Sequence, residues 1–140
     1  DKFQPDWEAL KYLKQLYQEQ STPEDFKVVL AHYADVARDR AGTLDAKEAT
    51  TSWLNAAGAY RRLERQQEAE TCYKAALDLS PSSFVARLGF CRWLFERGRD
   101  TEARKHLAWC IEQRPDDRQV KQLERQVRQA NRPQPVSRVR

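Results

Sequence analysis

Catalysis needs convergent polar groups, and the side chains best suited to chemistry in this sequence are few and scattered: His32, His106, Cys72, Cys91 and Cys110. The two histidines fall in different helical stretches, and neither a phosphate-cradling glycine loop nor a nucleophile elbow is present. His106 and Cys110 stand four apart, a spacing that places both on one helix face and can share a metal. Tetrahedral zinc usually takes four protein ligands, however, and the three cysteines lack the close pairs of a metal knuckle or a disulfide framework. The stronger reading makes all three buried thiols in a reducing, cytoplasmic compartment. No enzyme, metal or cofactor is therefore expected.

The elements that would position these residues are all helical. Four glycines, no Asn-Gly or Asp-Gly turn and few alternating apolar runs leave little material for strands. Residues 6 to 20 place Trp7, Leu10, Leu13, Leu16 and Tyr17 on one face. Thr22-Pro23-Glu24-Asp25 is a helix start with proline at the first position, and Phe26, Val29, Leu30, Tyr33 and Ala37 follow at helical spacing. The two-residue joint makes these two helices antiparallel neighbours. Gly42 then ends the second, and Thr43 is a candidate cap for a long helix running through Trp53 to about Arg65.

Sliding the sequence against itself by 34 residues aligns Pro81 with Pro115, Ala69 with Ala103, Ala76 with Cys110, Tyr73 with Leu107 and Tyr60 with Leu94. Each proline ends a helix, since it lacks the backbone donor and restricts the residue before it. Ser82 or Ser83, and Asp116 or Asp117, can cap the helices that follow. The series Trp53-x2-Ala56-Ala57-x2-Tyr60, then Ala69-x3-Tyr73-x2-Ala76 and Pro81, resembles the tetratricopeptide repeat. The second unit is less regular, with Arg87 in the Trp slot, but Ala103, Leu107, Cys110 and Pro115 hold the pattern.

The resemblance implies an all-α solenoid of about seven helices in antiparallel hairpins. Residues 1–43 form an N-terminal hairpin, residues 44–117 two tandem repeats, residues 118–131 a capping helix on Val120, Leu123 and Val127, and residues 132–140 a basic, proline-containing tail. Ala57 and Ala69 would let the helices of a hairpin approach closely while Trp53, Tyr60 and Tyr73 fill the space beside them. It further implies a groove lined by the first helices of the hairpins. In this alignment the groove set is Thr51, Leu54, Asn55, Gly58 and Arg62, then Val85, Leu88, Arg92 and Phe95. The helix over residues 83–97 is apolar on almost every side, so it is either covered all round or offers an apolar strip, and residues 1 to 40 can fold back over the groove. If Val120 and Leu123 take core positions, Arg118, Lys121, Arg125 and Arg128 face the groove and add a basic wall, with Lys121 and Arg125 orienting the partner.

These features point to an adaptor or assembly scaffold that binds a protein or peptide partner with acidic and bulky side chains. Two other classes compete. Net charge is +4, with −3 on residues 1–49 and +7 on residues 84–140, which also allows nucleic-acid binding through the basic half. Open solenoid ends allow stacking between copies into a homo-oligomer. No run approaches the roughly 20 apolar residues that cross a bilayer, so membrane insertion is not expected.

Overall fold

The structure, a computed structural model, describes residues 7–130. The proposed basic tail, residues 132–140, lies outside the described residues, as do residues 1–6. Within them are seven α-helices and no strand: α1 (Trp7–Gln20), α2 (Pro23–Ala41), α3 (Ala46–Arg62), α4 (Gln66–Leu79), α5 (Phe84–Glu96), α6 (Asp100–Gln113) and α7 (Arg118–Ala130). They form two compact units divided between Phe90 and Cys91, inside α5.

The helix starts follow the capping chemistry of the sequence. Thr22 Oγ1 accepts the Asp25 N–H at 3.2 Å ahead of Pro23, Ser83 Oγ accepts the Ala86 N–H at 3.2 Å, and Asp117 Oδ1 accepts the N–H groups of Gln119 and Val120 at 2.9 and 3.1 Å. One cap differs from expectation. α3 is capped by Asp45, whose Oδ1 accepts the Glu48 N–H at 2.9 Å. Thr43 instead donates its hydroxyl to the Arg40 carbonyl at 2.9 Å and so closes the end of α2. A carboxylate beside the positive end of a helix also gains from the helix dipole, which a hydroxyl gains less.

α3 also stops three residues earlier than expected. Glu64 adopts φ +60, and the Arg65 N–H turns back to the Tyr60 carbonyl at 2.9 Å. The same turn recurs 34 residues later, where Gly98 has φ +75 and the Arg99 N–H reaches the Leu94 carbonyl at 2.9 Å. In each turn the arginine then pairs with a glutamate three residues on, Arg65 with Glu68 and Arg99 with Glu102, both with a 2.8 Å bond. The left-handed residue consumes the carbonyls left over at a helix end and sends the chain into the antiparallel partner helix. The repeat is thus one of backbone geometry as well as of residue types.

In the first unit α2 packs on α1 and α3, and α3 on α4. Alanines make the close approaches: Ala34, Ala37, Ala56, Ala57, Ala69 and Ala76 are fully buried. Tyr60 and Tyr73 fill the space beside them, Tyr73 stacking on Phe90 with ring centroids 5.8 Å apart, whereas Trp53 is only half-buried. Trp7 stacks on Tyr33 at 5.0 Å and ties α1 to α2. In the second unit Cys91 Sγ donates to the Ala103 carbonyl at 3.3 Å, joining α5 to α6, and Val120 and Leu123 of α7 are buried.

Candidate partner-binding surfaces

The exposed side of α3 is set by its period. With Ala49, Ser52, Ala56, Ala59 and Tyr60 turned into the core, residues 51, 54, 55, 58 and 62 share the remaining arc. Four of them, Leu54, Asn55, Gly58 and Arg62, line a cavity of about 270 Å³ together with Arg61, Lys14 of α1, and Leu30 and Tyr33 of α2. Asn55 and Thr51 also line a neighbouring cavity of about 450 Å³ that reaches Trp7 and Arg40. Shared lining by Asn55 makes the two cavities one strip along the first unit. α1 borders the strip, with Arg62 Nη1 donating to Gln18 Oε1 at 3.4 Å, and does not fill it.

The electrostatics of this strip are uneven. Lys14 Nζ lies 4.6 Å from the centroid of the Tyr33 ring, and the Arg62 guanidinium lies 4.8 Å from that of Phe26. Burial, and then the neighbouring Arg62, lower the pKa of Lys14, while burial raises that of Tyr33. The lining of the smaller cavity holds three cations and no carboxylate.

The remaining candidates divide. Leu88 is 4% exposed and belongs to the core; it is not available on a groove floor. Its helix is covered on most sides, with Phe84, Phe90, Trp93 and Leu94 buried as well, while Val85 is 67% exposed. In the second unit Arg92 and Phe95 line a cavity of about 450 Å³ with Glu96, Leu123, Gln119, Gln122 and Gln126. Arg92 Nη2 donates to Gln119 Oε1 at 3.5 Å. Lys121 and Arg125 do not join them. Once Val120 and Leu123 turn inward, the helical period carries Lys121 and Arg125 to the outer side of α7, where Lys121 pairs with Asp116 at 3.7 Å and Arg125 lines, with Arg118, an adjoining cavity that shares Gln122 and Gln126 with the first. Glutamines therefore line the cavity of Arg92 and Phe95, with Arg118 and Arg125 beyond them on the adjoining one.

Lys14, Tyr33 and the three glutamines were missed by the sequence reading. The signal for Lys14 was present: α1 is the first helix of its hairpin, the position that lines the groove in the repeats that follow. Among the described residues no group of three His, Cys, Asp or Glu side chains is placed to hold a metal, and no helix is long and apolar enough to cross a membrane.

A family model of the tetratricopeptide repeat matches residues 54–127, a little over half of the chain. Repeats of this kind generally mediate protein–protein interaction. Neither a curated protein nor a solved structure matches the sequence. The 34-residue offset in residue types, the turn that recurs at Glu64 and Gly98, and the family match agree: the chain belongs to the tetratricopeptide repeat family.

Proposed function

We propose that this protein is an adaptor or assembly module that holds a peptide or helix of a partner protein, one carrying acidic and bulky side chains, against its first-helix surfaces. The observation that carries the reading is the convergence of Lys14 and Arg62 with Leu54, Asn55 and Gly58 on one cavity that has no carboxylate in its lining. Leu54, Leu30 and Tyr33 offer apolar anchorage there, and the cations orient an acidic residue. Arg92 and Phe95 repeat the combination of an apolar floor and a guanidinium in the second unit, with glutamine amides for a peptide backbone.

Selection from a library of random peptides displayed on phage tests the proposal. Enriched peptides should combine acidic with bulky residues, and their binding should fall at least about tenfold in Arg62→Glu, whose helicity should match the wild type. No enrichment, or enrichment indifferent to Arg62→Glu and Lys14→Glu, would sink it.

Nucleic-acid binding remains the second reading, favoured by exposed Arg118, Arg125 and Lys121 on α7. Two of the helix's cations are engaged within the chain, Lys121 with Asp116 and Arg128 with Glu124. Retention on single-stranded nucleic acid that falls steeply as salt rises would support that reading in place of the first.

A further inference from the structure

We propose that the cavity at Lys14, Asn55, Gly58 and Arg62 takes a phosphorylated side chain of the partner protein. This rests on the partner-binding reading above and names the chemistry of the contact.

The first ground is the charge arrangement. Lys14 and Arg62 lie close enough for each other's charge to matter, and neither forms an ion pair with a described residue. Their partners are the faces of Tyr33 and Phe26 and the amide of Gln18, which hold the cations in place without neutralising them. Arg61 lines the cavity as well, already engaged in an interaction within the chain. A carboxylate returns one negative charge to such a site. A phosphoryl group returns about 1.5 to 2 at neutral pH and presents three acceptor oxygens, enough to engage a lysine ammonium and an arginine fork together.

The second ground is Gly58. It stands inside α3, where glycine is a poorer helix former than alanine, yet a Cβ built there meets nothing within 4 Å. Packing therefore does not call for glycine at this position. Its missing side chain opens the helix backbone to the cavity, and close backbone approach is a common use of glycine beside a ligand. Leu30 and Leu54 border the same space and offer apolar contact to residues flanking the phosphoryl group, which favours a side chain in a peptide over a free ion.

The test uses the full chain, ¹⁵N-labelled, titrated separately with phenyl phosphate, phenylacetate and inorganic phosphate and followed by NMR. Phenyl phosphate should shift the Asn55 side-chain amide, the Gly58 N–H and the Arg62 Nε–H saturably, binding about tenfold tighter than phenylacetate and than inorganic phosphate. Lys14→Gln and Arg62→Gln should each weaken it severalfold while resonances elsewhere stay in place. Equal binding of phenylacetate would overturn the phosphoryl inference and leave the acidic-partner reading standing. Equal binding of inorganic phosphate would overturn it in favour of a free-anion site. If none of the three probes moves these resonances, both readings fall.

Discussion

Tyr60 is fully buried, and its hydroxyl donates to Asp35 Oδ1 at 2.5 Å. Burial, and then the Asp35 carboxylate, push the phenol well above its ordinary pKa, so the group is neutral across the physiological range. Tyr60→Phe keeps the ring and loses a charge-assisted bond, which should cost about 1.5 to 3 kcal/mol in urea unfolding. The thiols carry a second expectation. Burial pushes Cys72 up to about 11 and Cys91 up to about 12. A folded-state pKa above the unfolded value means a contribution that is complete below the unfolded value and lost as pH rises through the folded one. Stability should therefore decline from about pH 9 upward, and unfolding free energies measured from pH 8 to 11 check it. Iodoacetamide at pH 8 should modify Cys72 and Cys91 only as fast as the fold opens; rapid labelling in the native state would contradict the burial account. Leu88 shows why single positions in the groove were hard to read. On α5 nearly every residue is apolar, so period alone could not separate Leu88, which is buried, from Val85, which is exposed.

At the scale of elements, the turns between first and second helices decide how well each hairpin closes. Glu64 and Gly98 occupy the same left-handed position, and only glycine adopts it without a steric penalty. Glu64→Gly should raise stability by about 1 kcal/mol, whereas Gly98→Ala should lower it by a similar amount, both read from thermal or urea denaturation. The alignment at 34 residues could have located this turn in advance, because Gly98 aligns with Glu64. It was obscured because glutamate is a strong helix former and continues the pattern of α3 on paper. Proline stops, the Thr22 cap and the Ser83 and Asp117 caps were legible because each acts through its nearest neighbours. The stripe of Val120 and Leu123 marked the inward face of α7 as well, whereas the surface that its outer arginines border depends on packing that no local signal encodes.

At the scale of the molecule, the family match and the repeated turns account for the all-α architecture, and the charge pattern along it gives the chain its polarity. Its acidic first third nonetheless contains Lys14, one of the cations that line the candidate cavity with Arg61 and Arg62. Net charge of a segment thus predicts its local potential poorly. Gly58→Ala connects this level to the others: it should stabilise the fold by about 0.5 to 1 kcal/mol, since the added methyl meets no neighbour, and it should weaken partner binding by narrowing the cavity. The most direct test of the central claim is photo-crosslinking of a display-selected peptide to the full chain, with adducts located by mass spectrometry. Adducts at Lys14 and along residues 54–62 are the predicted result, and adducts confined to the second helices α4 and α6 would contradict it.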